Sequence, residues 1–331
     1  MPYKIFVTRD IPDEGIKMLR KLKNVTLDIY PGEKAISRKE LLKKVKGADI
    51  VLSILTEKID KEVFEAAGPQ LKMIANYAVG FDNIDLKEAK KRKILVTNTP
   101  HQNVAETVAE HSIALMFALA HRITEADRFT RAGRYECWGP KMMLGTDLWK
   151  KTVGVIGAGR IGAAVLHRLH DGFGVKVIYN DLKKNPEFEK VTGAKFRTRD
   201  QVLKESDFIS LHVPLCPATH HMISTREFKI MKPTAFIINT ARGPVIDEKA
   251  LLKALVNKEI AGAGLDVFEC EPLIDCDPRD NLELRKMENV VLTPHTASAT
   301  IEARQAMSRV AAENITAFIK GKNPPNLCII K

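Results

Sequence analysis

Three side chains of complementary chemistry stand just beyond apolar runs in the second half of this 331-residue chain. Phe236-Ile-Ile-Asn-Thr-Ala241 leads into Arg242. Leu265-Asp-Val-Phe268 leads into Glu269, Cys270 and Glu271, and Val290-Val-Leu-Thr-Pro294 leads into His295. Each run reads as a buried strand, and an open parallel sheet binds its ligands beyond the carboxyl ends of its strands. A cation, a carboxylate and an imidazole thus converge on one edge. Arg242 offers a planar fork of donors for a carboxylate or a polarised carbonyl. Histidine is the side chain best suited to proton exchange near neutral pH. A neighbouring Glu271 favours the charged imidazolium of His295 and fixes its tautomer.

A second motif supplies what those residues lack. Lys151-Thr-Val-Gly-Val-Ile runs into Gly157-Ala-Gly159-Arg160-Ile161-Gly162. Gly157 permits a tight turn, Gly159 admits a pyrophosphate close to backbone amides, and Gly162 lets the following helix pack closely on the sheet. The pyrophosphate sits on the positive end of that helix, at Arg160 and Ile161. The next strand, Lys176–Tyr179, ends near Asp181, which is placed to accept from the hydroxyls of an adenosine ribose. A carboxylate there repels a 2′-phosphate and selects NAD over NADP, with Lys183 and Lys184 as solvated loop charges. Hydride from a nicotinamide and a proton from His295 together reduce a ketone to an alcohol.

The elements that must position these residues follow from alternation. Strand patterns at Ile5–Val7, Val25–Ile29, Ile50–Leu55, Leu71–Ala75 and Ile94–Val96 are separated by amphipathic stretches at Gly15–Leu22, Lys39–Val45, Lys61–Ala67 and Leu86–Lys91. A long helix covers about Val104–Arg122. Alternation resumes after the glycine motif, with strands at Phe208–Val213, Ala235–Asn239, Gly262–Val267 and Val290–Thr293 and a last helix over Ile301–Ile319. Such alternation means right-handed βαβ units and parallel sheets. The fold class is therefore α/β, with two Rossmann-like or flavodoxin-like parallel-sheet domains. The cofactor domain, residues 101–298, is inserted into a discontinuous substrate domain of residues 1–100 and 299–331.

Composition excludes several classes. Hydrophobic content of 45% and charged content of 28% belong to a soluble globular protein. The net charge of +11 is spread in short runs without a basic-aromatic patch, so no nucleic acid is expected as partner. No apolar run spans a bilayer, and the polar start is unlike a signal peptide. The five cysteines are scattered without a CxxC, which argues against a disulfide framework and for the cytoplasm. His212, Cys216, His220 and His221 do not match common zinc spacings, so no metal is expected.

The chain resembles the D-isomer-specific 2-hydroxyacid dehydrogenases over nearly its whole length. The likeness is carried by Asn76-Tyr-Ala-Val79-Gly80-Phe-Asp-Asn-Ile-Asp85, Val96-Thr-Asn-Thr-Pro100, Val108-Ala-Glu110 and the glycine motif. It continues through Asn239-Thr-Ala-Arg242-Gly, Asp266-Val-Phe-Glu-Cys-Glu271-Pro272 and Thr293-Pro-His295-Thr-Ala-Ser. Within the family it looks most like the archaeal glyoxylate and hydroxypyruvate reductases. The resemblance implies that Arg242 grips a 2-oxo acid, Glu271 supports His295, and His295 is the acid/base. It implies that the backbone amides of Val79 and Gly80 hold the substrate carboxylate. The backbone near Thr240 and Ala241 and the carboxylate of Asp266 would orient the nicotinamide, with Val213, Pro214 and Thr219 lining the cofactor. It further implies a homodimer joined through the cofactor domains, with Trp138 approaching the partner's active site. Leu55 is a candidate substrate selector.

Departures from the family pattern carry their own expectations. Asn180-Asp181 replaces the Ser-Arg that admits the NADP phosphate in many glyoxylate reductases. Ala297 and Ser298 stand where D-lactate enzymes carry an aromatic pair, and Glu271 stands where formate enzymes carry glutamine. The acidic segment 273–281 flanks Glu271 and bears on substrate access. D-lactate, phosphoglycerate or phosphite oxidation, and a non-catalytic NAD-sensing corepressor, are the competing readings.

Overall fold

The computed structural model describes residues 2–328 apart from Glu33 and residues 272–281, so the acidic segment after Pro272 lies outside the described residues. The chain divides into two compact units. Within the described residues, one draws on residues 2–104 and 299–328, the other on residues 105–271 and 282–298.

The first unit alternates β1 (Tyr3–Val7), α1 (Asp13–Arg20), β2 (Val25–Ile29), α2 (Arg38–Lys44), β3 (Ile50–Ile54), α3 (Lys61–Ala67), β4 (Met73–Tyr77), α4 (Leu86–Lys91) and β5 (Leu95–Thr97). The strands pair in parallel in the order β2-β1-β3-β4-β5, the flavodoxin-like order. Helix starts are set by side-chain caps: Ser37, Asp60 and Asp85 accept from the amides of Glu40, Val63 and Glu88. The C-terminal helix, Ile301–Ile319, belongs to this unit. It packs on α1, where a Cβ on Gly15 would lie 2.1 Å from the Ser308 carbonyl oxygen. The tail returns to the sheet edge, with the Cys328 amide donating to the Val96 carbonyl at 2.8 Å.

The second unit begins within α5 (Gln102–Ala120) and continues through α6 (Ile123–Arg131). Its sheet is built by β6 (Thr152–Ile156), α7 (Arg160–Phe173), β7 (Lys176–Asn180), α8 (Pro186–Thr192), β8 (Lys195–Phe196), α9 (Arg199–Glu205) and β9 (Phe208–Leu211). It is completed by α10 (Thr225–Ile230), β10 (Phe236–Asn239), α11 (Glu248–Val256), β11 (Gly262–Leu265), α12 (Leu282–Lys286) and β12 (Val290–Leu292). The parallel order β12-β11-β10-β9-β6-β7-β8 turns back at β6, the strand that feeds the glycine motif. One face of the sheet is covered by a core including Ile237, Leu211, Phe228 and Leu251, the other by one including Val155, Leu166, Tyr179 and Ile238. Strands buried on both faces explain the near-continuous apolar runs.

Several elements depart from the sequence reading. Between Asp181 and Phe208, where no element is expected, the chain forms α8, β8 and α9. The strand expected to reach Val213 ends at Leu211, because Val213 precedes Pro214, which has no amide to continue a ladder. Cys137, Cys216 and Cys328 are free thiols, but Cys270 is disulfide-bonded, contrary to a wholly reduced set. Among the described residues no helix is long and apolar enough to cross a membrane.

Candidate active site

The glycine motif forms a turn that only glycine can make. Gly157 has φ +94° and its amide donates to the Asn180 carbonyl at 2.9 Å; a Cβ there would lie 2.6 Å from the His212 carbonyl oxygen. A Cβ on Gly162 would lie 2.2 Å from the Gly157 carbonyl oxygen. Around Gly159 a Cβ would meet nothing within 4 Å, and this N-cap of α7 has no side-chain cap bond. The first-turn amides at Arg160 and Ile161 thus open onto free space, as a pyrophosphate cradle requires. Asp181 closes the same turn, its Oδ2 accepting from the Ala158 amide at 2.8 Å and its Oδ1 from the Leu182 amide at 2.6 Å. A cavity of about 760 Å³ lined by Ala158, Asp181, Leu182, Lys183 and Asn185 borders it, large enough for an adenosine. Lys184 pairs with Glu189 at 3.2 Å. A further cavity of about 590 Å³, lined by Lys151, Asp207, Ala261 and Asn289, lies at the opposite, amino edge of the strands, away from this chemistry.

At the carboxyl edge, the expected charged residues meet in part. His295 Nδ1 lies 3.0 Å from Glu271 Oε2, both side chains half-buried. A carboxylate only accepts, so Nδ1 carries the hydrogen and Nε2 faces away as the exchanging nitrogen. His295 is held at φ +54°, a left-handed conformation uncommon for a non-glycine residue. Its amide donates to the Asp266 carbonyl at 2.9 Å and to the Thr293 carbonyl at 3.0 Å. Arg242 follows a turn folded by Asn239, whose Nδ2 donates to the Arg242 carbonyl at 2.9 Å and whose Oδ1 accepts from the Ala241 amide at 3.0 Å. Arg242 Nη1 donates to the Ala241 carbonyl at 2.7 Å. Gly243 lets this loop lie against the next one, since a Cβ there would sit 1.8 Å from the Phe268 carbonyl oxygen.

Asp266 does not present its carboxylate to an open edge. It is fully buried (0% exposed) and accepts from the Thr293 hydroxyl at 2.6 Å and from the amides of Thr296 and Ala297 at 2.7 and 2.8 Å. Because the Thr293 hydroxyl donates to Asp266, it accepts from His111 Nε2 at 3.0 Å. His111, Thr293 and Thr296, absent from the sequence-based site, thus fix the loop that bears His295. Thr240, also buried, shares a 2.9 Å bond with Ser112. Thr219 donates to the Pro214 carbonyl at 2.6 Å and bends the segment holding Val213 and Pro214. Beside it, burial pushes the pKa of His212 down to about 3; its Nε2 meets the Ser210 hydroxyl at 2.9 Å and its Nδ1 is sealed without a partner.

In the first unit, Val79 and Gly80 lie past β4 on a turn held by amides. Asn98 Nδ2 donates to the Val79 carbonyl at 2.7 Å and Asn76 Nδ2 to the Gly80 carbonyl at 3.0 Å. Leu55 follows β3 in a loop braced by buried Glu57, which accepts from the Thr8 hydroxyl at 2.7 Å and the Ile54 amide at 2.8 Å. Trp138 lies in the irregular segment after α6 and is 75% exposed.

A family model described as D-isomer specific 2-hydroxyacid dehydrogenase, NAD binding domain, matches residues 113–297. The chain belongs to the D-isomer-specific 2-hydroxyacid dehydrogenase family. It is an oxidoreductase whose second unit is an NAD-binding domain. A glyoxylate reductase from Thermococcus litoralis is 50% identical over 99% of this chain and 97% of its own. A protein of known structure from Thermus thermophilus is 37% identical with a TM-score of 0.90, covering 98% of this chain and 100% of its own. D-Lactate dehydrogenase from Aquifex aeolicus, solved with NAD and lactic acid, is 31% identical with a TM-score of 0.85, covering 99% of both chains.

Proposed function

We propose that this protein is an NADH-dependent reductase of small 2-oxo acids of the glyoxylate and hydroxypyruvate type, yielding D-2-hydroxy acids. The single observation that carries the reading is the His295–Glu271 pair at 3.0 Å, on the loops at the carboxyl edge of an NAD-binding sheet. When bound, the cofactor supplies hydride to the carbonyl carbon. Protonated His295 gives the Nε2 proton to the carbonyl oxygen as it gains charge, so the ketone becomes an alcohol. Glu271 stabilises the imidazolium and holds the ring so that Nε2 faces outward. Arg242 binds the oxo acid through its guanidinium, and the amides of Val79 and Gly80 take its carboxylate. Leu55 helps select the substrate, and Trp138 approaches the active site of the partner subunit.

On the cofactor side, Gly157, Gly159, Arg160, Ile161 and Gly162 cradle the pyrophosphate and Asp181 takes the ribose. Val213, Pro214, Thr219, Thr240 and Ala241 line the nicotinamide half, while Asp266 acts on that half through the loop it anchors. The second unit is the cofactor domain and the first the substrate domain. We also propose a cytoplasmic homodimer. Ile123, Tyr135, Trp138, Leu144 and Trp149 are all more than half exposed in the segment around and after α6, more apolar surface than a monomer normally leaves in one stretch. The reading is tested by following NADH absorbance with glyoxylate, hydroxypyruvate and pyruvate. Saturable turnover with one of them is expected; none with any 2-oxo acid overturns it.

A further inference from the structure

Three loops at the carboxyl edge of the second unit are tied together by residues that no reaction step uses. His221, in the loop after β9, places Nε2 at 2.6 Å from Glu269 Oε1, in the loop after β11. Glu269 in turn interlocks with Glu248 at the start of α11, beyond the loop after β10. The Glu248 amide donates to Glu269 Oε2 at 3.3 Å, and the Glu269 amide donates to Glu248 Oε1 at 2.5 Å. The His221 amide donates to the Pro244 carbonyl at 2.8 Å, so the histidine grips the second loop as well.

Two features mark this as a built contact. His221 is held at φ +49°, a conformation that costs free energy in a residue with a side chain and persists only where surroundings impose it. The carboxylates of Glu269 and buried Glu248 each accept from the other residue's amide, and His221 adds a side-chain donor from a third loop, since a carboxylate oxygen at 2.6 Å requires hydrogen on Nε2. The other titratable groups against the clamp are His220, whose ring centroid lies 4.1 Å from that of His221, and Asp247. Glu269 stands two residues before Glu271, the partner of His295.

We propose that His221 is a positioning residue: through Glu269 and Glu248 it fixes the loop that presents Glu271 to His295. The inference rests on the reading of His295 as proton donor. His221 touches neither reacting atoms nor cofactor in this account. Loosening the clamp lets Glu271 drift, and a displacement of about 1 Å at a reacting group costs up to roughly 100-fold in rate.

The test compares His221→Asn with His221→Gln in the full-length protein. Asparagine tolerates the left-handed backbone but is too short to reach Glu269, whereas glutamine can place its Nε2 near that of the imidazole. For H221N, kcat should fall about 10- to 100-fold with the KM for NADH little changed. H221Q should recover to within about fivefold of native. The His295–Glu271 hydrogen bond is read in parallel by the NMR signal of the His295 Nδ1 hydrogen in histidine-labelled protein, which needs no turnover. Loss or an upfield move of that signal in H221N, restored in H221Q, supports the clamp. An unchanged signal in folded H221N overturns it, whatever the activity. Full activity in His295→Asn overturns the proton-donor reading instead, so the two failures are distinct.

Discussion

Replacing Asp266 by Asn separates two roles for a buried carboxylate. The native side chain accepts four hydrogen bonds, from the Thr293 hydroxyl, the Thr296 amide and, at 3.5 Å, hydroxyl, and the Ala297 amide, with no solvent to substitute for any of them. Asparagine can keep its carbonyl oxygen toward the Thr293 hydroxyl and the Thr296 amide. Its NH2 then faces the Ala297 amide at a site where native donor and acceptor are 2.8 Å apart, so two donors oppose each other. The loss is one charge-assisted bond, about 1.5–3 kcal/mol, together with part of the cost of an unsatisfied buried amide, about 1–3 kcal/mol. A destabilisation of about 3 kcal/mol is therefore expected, among the larger single-substitution effects. Urea unfolding followed by a signal from the second unit measures it. kcat should fall too, because the Asp266 carboxylate anchors the Thr296 and Ala297 amides directly after His295. A loss below about 0.5 kcal/mol, the level of an ordinary surface change, would refute the reasoning. A large drop in NADH affinity at unchanged stability would show instead that the carboxylate acts directly on the nicotinamide.

Three further outcomes are expected. Gly162→Ala places a methyl 2.2 Å from the Gly157 carbonyl oxygen, so α7 must lift from β6. A loss of about 1–3 kcal/mol in thermal unfolding and a weaker NADH Kd by fluorescence titration should follow. Asp181→Ser removes the charge that opposes a 2′-phosphate beside exposed Lys183; the ratio of kcat/KM for NADPH over NADH should rise roughly tenfold or more, about 1.4 kcal/mol. Burial holds His212 at a pKa of about 3, below its ordinary 6.5, so the unfolded chain binds more protons between those values. Stability should then fall as pH drops below about 6.5, by up to about 1.4 kcal/mol per pH unit from this residue, and be fully present above that pH. Unfolding midpoints at pH 7 and pH 4.5 should differ less in His212→Gln than in the native protein.

Much of this was legible in the residues, for reasons that mark the boundary of such reading. Strands buried on both faces leave dense apolar runs, so β3, β6, β9 and β10 were plain. The glycine motif was legible because each glycine answers a steric demand that a Cβ would violate. The segment between Asp181 and Phe208 was missed because its helices are short and polar, although its punctuation was there. Asn185 caps α8 with Pro186 at its first turn and Gly193 at its end, and Thr198 with Gln201 forms a capping box for α9. Helix α6 carries Ile123, Ala126 and Phe129 at helical spacing but buries none of its residues, so no core contact marked it out. Within the site, Arg242, Glu271 and His295 were found by their place after strand ends. The inward turn of Asp266 and the bonds joining His111 to Thr293 and His221 to Glu269 depend on contacts between loops far apart in sequence, which no local pattern records.

The central claim is hydride transfer to a 2-oxo acid with His295 giving the proton. It is tested most directly with NADH carrying deuterium at the transferable C4 position and hydroxypyruvate as acceptor, the product being analysed for configuration and isotope. The account predicts D-glycerate labelled at C2, formed by the native protein and slowed about 10²- to 10⁴-fold in His295→Asn. Unlabelled or L-configured product, or undiminished turnover by His295→Asn, would contradict it.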